Sequence, residues 1–272
     1  MTPFFHDEVV TIYHGEALEV LRALPSASID ALVTDPPYSS GGQFRGDRMG
    51  TTNEKYINQD NQGRLQDFSG DNRDQRGHLF WCTLWLSECR RLLKPGAPVV
   101  LFTDWRQLPI CTDILQAGGF IWRGIVPWDK TEGTRPQKGR FRAQAEYAVW
   151  GNSHEIAEGG GQISGHSFAE QAEFAAWGSN GPMPSEGQVL PGVWRQSVIG
   201  AAKFHVTGKP ISVMKSAIGI CGAGGTVLDP FGGGGSTAVA CKETGRKCVT
   251  GDLSIENCEI MKSRMSQGVL AL

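Results

Sequence analysis

The stretch TVLDPFGGGGSTAVACKETGRKCVTGDL, residues 226–253, constrains the fold more than any other feature of the chain. A short β-rich run, Thr226–Leu228, ends at Asp229 and enters a run of four glycines. A helical segment from Ser236 to Glu243 follows, stops at Gly245, and gives way to a second β-rich run, Lys247–Thr250. Strand, glycine loop, helix and strand in this order describe a βαβ unit, which requires parallel strands. Glycines tolerate positive φ and let a ligand come close to the backbone. Asp252, 23 residues after Asp229, ends the second strand, where an acidic side chain can bind ribose hydroxyls. A phosphate-binding loop would need GKS or GKT, and GGST has no lysine; a clean GxGxxG is also missing. A glycine turn that serves only tight packing remains a second reading.

The same alternation extends along the chain. Val9–Tyr13, Ala31–Thr34, Val99–Phe102, Ile121–Pro127 and Tyr147–Trp150 read as further strands. His78–Lys94 reads as a helix with Leu79, Leu84, Leu86, Leu92 and Leu93 as its apolar face and Pro95–Gly96 as its stop. Another helix begins at Pro210, a favoured first-turn residue. The expected architecture is α/β, a doubly wound, mostly parallel sheet in one domain over residues 1–272. Two segments interrupt it. Residues 39–77 are polar and glycine-rich with balanced charges, and residues 151–200 are rich in Gly, Ser, Gln and Pro. Structureless loops this long are usually functional or mobile, so both read as irregular insertions at one edge of the sheet.

Composition excludes several alternatives. Against 28 Asp and Glu, 26 Lys and Arg leave a net charge of −2, so the chain is not a basic nucleic-acid coat protein; a local basic cleft stays open. Seven cysteines without a CxxC pair suggest neither a zinc cluster nor a disulfide framework, and no metal is expected. No apolar run approaches a membrane span, and MTPFFHDEVV does not read as a signal peptide, so a cytoplasmic location is expected.

The second informative stretch is IDALVTDPPYSSGG, in which a buried-looking strand ends at Asp35, Pro36, Pro37 and Tyr38. In open α/β sheets ligands bind outside the carboxyl ends of the strands. Two prolines restrict the backbone, so the Asp35 carboxylate and the Pro36 carbonyl can act as fixed acceptors, with Tyr38 as a stacking face. That set suits a planar heterocycle bearing an exocyclic NH2. A proline-bounded turn with a surface tyrosine would produce the same four letters.

DPPY at 35–38 together with DPFGGGGST at 229–237 resembles the S-adenosylmethionine-dependent amino-methyltransferases of DNA. The catalytic motif precedes the cofactor loop, the order found in the β class of that family. HGEALEVLRALPSASID before the tetrapeptide, then RRLLKPGAPVVLF, IVPWDK and GRFRAQAEYAVWG, follow in family order, and HVTGKPISVM at 205–214 is similar to the family's HPTQKP motif. Glu16, Val206 and Gly208 depart from the family pattern.

The resemblance implies a Rossmann-like methyltransferase fold with permuted motif order, S-adenosyl-L-methionine as cofactor and double-stranded DNA as partner. It implies Asp35, Pro36, Pro37 and Tyr38 as the catalytic set. Asp229, Phe231, Gly233, Gly235 and Asp252 would bind the cofactor, with Thr207 and Lys209 near its carboxylate. The reaction implied is displacement of a sulfonium methyl by the N6 amine of a flipped adenine. Cytosine N4, RNA, and a catalytically silent nucleic-acid-binding module of the same fold are the alternatives. Lys130, Arg135, Lys138, Arg140 and Arg142 form the best local basic patch and would track phosphates, unless they only solvate a charged loop. Arg45, Arg48 and Arg64 could close over DNA from the first insertion. Residues 151–200 would carry target recognition, with Trp177, Trp194 and Arg195 as contacts. A bacterial or phage-infected cell is the implied setting, and a homodimer is compatible with it.

Overall fold

The computed structural model describes residues 1–39, 73–131, 145–153, 167–168, 189–197 and 208–266. Arg45, Arg48, Arg64, Arg135, Lys138, Arg140, Arg142, Trp177, His205, Val206 and Thr207 lie outside them.

In chain order the elements are β1 (Phe5–His6), β2 (Val10–His14), α1 (Ala17–Ala23), β3 (Ala31–Thr34), α2 (Gln75–Leu92), β4 (Pro98–Thr103), α3 (Leu108–Ala117), β5 (Phe120–Asp129) and β6 (Ala145–Ser153). There follow β7 (Ser167–Phe168), β8 (Val189–Leu190), β9 (Trp194–Arg195), α4 (Ile211–Ile218), β10 (Thr226–Asp229), α5 (Ser236–Glu243), β11 (Lys247–Asp252) and α6 (Ile255–Ser266). Among the described residues nine strands form one sheet in the order β1-β2-β11-β10-β3-β4-β6-β5-β9, and β7 pairs with β8 in a second sheet.

From β2 to β4 the pairings are parallel, as the sequence predicts. The sheet is mostly parallel, as expected, and departs from parallel pairing at two places. β1 is antiparallel to β2, and β6 runs antiparallel between β4 and β5. β6 also extends to Ser153, three residues into the expected 151–200 insertion. Asn152 and Ser153 stay in the sheet because they pair with Pro98 and Phe120.

Strand residues alternate between two cores. Ala31, Val33, Val227, Val100 and Phe102 face α4, α5 and α6 through Val213, Met214, Ala217, Ala240 and Met261. Leu32, Leu228, Val99 and Leu101 face α1, α2 and α3 through Leu21, Trp85, Leu86, Ile114 and Leu115. With both faces covered, the central strands read as nearly continuous apolar runs. α2 starts at Asp74, whose side chain caps the Gly77 amide at 2.8 Å. Its buried face is His78, Cys82, Trp85, Leu86, Cys89 and Leu92. Of the leucine face expected from sequence, Leu86, Leu92 and Leu93 are buried and Leu79 packs against the core, but Leu84 is corrected, being 58% exposed. Leucines alone mislead because Trp85 and the cysteines occupy the inward positions at helical spacing.

β10 and β3 lie side by side at the centre. From β10 the chain leaves through α5 on one face, and from β3 through α2 on the other. The carboxyl ends of these two strands therefore flank a topological switch point, the place where open α/β sheets hold ligands. Among the described residues no helix is long and apolar enough to cross a membrane.

Candidate active site

The glycine loop is built by its contacts with β11 and α6. The Gly232 amide donates to the Gly251 carbonyl at 2.8 Å. A side chain at Gly232 would run into Thr250 and Met261. Gly235, with φ +79°, starts α5 in a left-handed conformation that glycine adopts without strain. Asp252 ties the loop to the end of β11. Its Oδ2 accepts the Gly233 amide at 2.9 Å, while Oδ1 accepts the Ser254 amide at 2.9 Å and Asn257 Nδ2 at 3.0 Å. Asp252 remains half-buried, and Leu253 beside it is 57% exposed.

Asp229 sits deeper. Its carboxylate accepts Thr34 Oγ1 at 2.6 Å, Thr237 Oγ1 at 2.5 Å and the Phe231 amide at 3.1 Å. Burial pushes its pKa up to about 6 against the opposing effect of those bonds. Asp229 is thus the buried post of the loop rather than a surface-facing ligand. Phe231, expected along the cofactor, packs its ring 5.4 Å from Trp81 and 5.1 Å from Trp85. Neighbouring His78 is held to a pKa of about 4, chiefly by burial and then by Arg73.

Asp35, Pro36, Pro37 and Tyr38 leave the end of β3, with Pro36 buried and the other three half-buried. Tyr38 does not project as a free stacking face. Its hydroxyl donates to Asp35 Oδ1 at 2.5 Å, and its ring packs against the core. Burial, followed by the charges of Asp35 and Glu146, raises the phenol pKa well above its ordinary value. The segment ends at Ser39, whose φ of +54° is uncommon outside glycine. Gln107 Nε2, from the loop after β4, donates to the Ser39 carbonyl at 3.2 Å.

Lys209 lies elsewhere than the sequence reading put it. Its ammonium is 2.6 Å from Asp35 Oδ2, 3.0 Å from the Tyr38 hydroxyl and 3.3 Å from Glu146 Oε2. With its side chain only 6% exposed, Lys209 is committed to the catalytic segment rather than left for a cofactor carboxylate. Burial alone would lower its pKa, but Asp35 and Glu146 outweigh burial and raise it.

Lys130 is likewise corrected as a phosphate-tracking cation. It follows β5 and forms an ion pair with Glu146 Oε1, with both side chains 17% exposed. Burial would raise the pKa of Glu146, yet Lys209 and Lys130 together lower it. Trp194, expected on DNA, is 4% exposed and packs 5.9 Å from Phe102, because β9 joins the sheet beside β5. Arg195 is exposed and lies 3.6 Å from Asp129.

Glu146 was missed from sequence. The run AQAEYAVWG places one acid in an otherwise ordinary strand. Its value appears only when β6 returns beside β5 and sets Glu146 opposite Trp128, two residues from Lys130. Together Asp35, Tyr38, Glu146, Lys130 and Lys209 form a charge-balanced, largely buried cluster of two carboxylates, two ammoniums and a phenol, with Lys209 the most deeply set. Among the described residues no group of three or more His, Cys, Asp or Glu side chains could hold a metal ion.

Comparison with known proteins gives a consistent picture. A family described as DNA methylase matches residues 29–263. The type II methyltransferase M.BamHI of Bacillus amyloliquefaciens is 25% identical over 275 residues, covering 97% of this chain; the chain spans 58% of that relative's length. The DNA adenine methyltransferase YhdJ of Escherichia coli K12 is 23% identical over 261 residues, covering 93% of this chain and 81% of YhdJ. Among solved structures, the cytosine-N4-specific PvuII DNA methyltransferase superposes with a TM-score of 0.62 at 15% identity, covering 99% of this chain and 90% of that one.

Proposed function

The chain belongs to the DNA methylase family, and from that premise we propose that it methylates the N6 amine of adenine flipped out of duplex DNA. The observation that carries the reading is the meeting of two loops at the switch point, joined by Thr34 and Asp229. One loop carries an acceptor suited to an exocyclic amine. The other has the glycine backbone and terminal acid suited to a nucleoside.

S-adenosylmethionine, when bound, supplies an electrophilic methyl group on a sulfonium. The residues present fit it. Asp252 uses three acceptor positions on its own backbone and side-chain partners, and a carboxylate has about four. One is left for a ribose hydroxyl, and exposed Leu253 offers an apolar surface beside it. The amides of the glycine loop, at the N-terminus of α5, would face the negative end of the cofactor.

An exocyclic amine is a weak nucleophile because its lone pair is delocalised into the ring. Asp35 would accept one of its N–H bonds and stabilise positive charge as it grows on nitrogen. The Pro36 carbonyl is the second acceptor proposed. Within the duplex that amine is engaged in the base pair and the ring is held in the stack, so the base must leave the helix to be held here. Residues 151–200 would choose the target sequence, since specificity commonly resides on loops carried by a rigid scaffold. Asp35 favours adenine by the family tendency, and YhdJ carries adenine in its name. Cytosine N4 is the second reading, favoured by the likeness to the PvuII enzyme.

The test is transfer of a labelled methyl group to duplex DNA, single-stranded DNA and RNA in parallel. Duplex DNA should be the best acceptor, and Asp35→Ala should abolish transfer while most cofactor affinity survives, because that bond matters as charge develops. Label on RNA alone, or undiminished transfer by Asp35→Ala, contradicts the proposal.

A further inference from the structure

The buried cluster contains a carboxylate that the reaction just described does not use. Lys209 is shared between two acids, 2.6 Å from Asp35 Oδ2 and 3.3 Å from Glu146 Oε2. The other oxygen of each acid is also engaged, Asp35 Oδ1 by the Tyr38 hydroxyl and Glu146 Oε1 by Lys130. In this arrangement Asp35 is capped. An ammonium on its carboxylate opposes the positive charge that an attacking amine must develop, and it weakens the remaining acceptor positions for that amine.

Lys209 has no need to leave the site to uncap it. Its second partner is already within ion-pair distance, on β6, which β4 and β5 hold from both sides. We infer that Glu146 is a positioning residue that receives Lys209 when Asp35 turns to the target amine, and that Lys130 anchors Glu146 for this purpose. The ammonium would shift by roughly the difference between the two contacts, a side-chain rotation rather than a loop movement. Throughout, the lysine stays paired, which avoids the large cost of an uncompensated buried charge. The inference rests on the proposed role of Asp35 as acceptor.

A double-mutant cycle tests it, with single-turnover transfer to duplex DNA and calorimetric cofactor affinity as readouts. Glu146→Gln leaves Asp35 as the one carboxylate paired with Lys209 among the described residues. The expected result is at least a tenfold slower transfer step with cofactor affinity unchanged. Adding Lys209→Met to Glu146→Gln removes the cap and should recover at least tenfold of the lost rate. Where Glu146→Gln folds poorly, the double variant is compared with Lys209→Met alone. With the cap gone Glu146 has nothing to receive, so the two rates should agree within twofold.

Additive losses, that is an equal penalty for Glu146→Gln with and without Lys209, would overturn the inference, as would a loss confined to cofactor affinity. Failure of the functional reading looks different, because the unaltered protein would then transfer no methyl group to DNA.

Discussion

Thr34 and Asp229 end neighbouring strands and share a 2.6 Å hydrogen bond that joins the catalytic segment to the glycine loop. Both side chains are buried, so the two loops are set against each other from within the sheet rather than by surface contacts. Thr34→Val keeps the shape and removes the donor. The loss should be about 1.5–3 kcal/mol of stability, as for a bond to a charged acceptor. Denaturant unfolding that shows no loss would mean that the link is incidental.

Asp229 also gives the fold a pH signature. Its folded pKa of about 6 lies above its ordinary 3.8, so the folded chain binds that proton more tightly than the unfolded one. The group therefore favours folding below about pH 4, and this contribution, of order 3 kcal/mol, fades as pH rises through about 6. The stability difference between the unaltered protein and Asp229→Asn should fall across that window. A pH-independent difference would contradict the assignment.

Asp252 is expected to matter for both the loop and the cofactor. Asp252→Ala removes the acceptor of the Gly233 and Ser254 amides together with the proposed ribose contact. Calorimetry should show cofactor binding weaker by about 1.5–3 kcal/mol. Unchanged affinity in a folded variant would reject the ribose assignment.

The parts of the fold that sequence revealed are those in which local pattern and global position agree. β3 and α5 have the bounds read from their flanking Asp35 and Gly245, and the two loops expected at one site do meet there. α3 was legible but overlooked. Pro109 stands in its first turn, and Cys111, Ile114 and Leu115 mark its buried face at helical spacing. The cluster around Asp35 was not legible. Glu146, Lys130 and Lys209 come from β6, the end of β5 and the approach to α4, and only the antiparallel return of β6 brings them together. Lys130 read as solvated and Trp194 as surface-exposed because sequence reports residue type, while burial is decided by the strand each joins.

The most direct test of the whole account is the identity of the methylated base. Duplex DNA incubated with the protein and S-adenosylmethionine would be digested to nucleosides and resolved by mass spectrometry. On the proposed reading, which rests on the family's tendency to pair an aspartate in the position of Asp35 with adenine, N6-methyladenine is the expected product. N4-methylcytosine without N6-methyladenine would contradict the choice of base, and unmodified DNA would contradict the proposed activity.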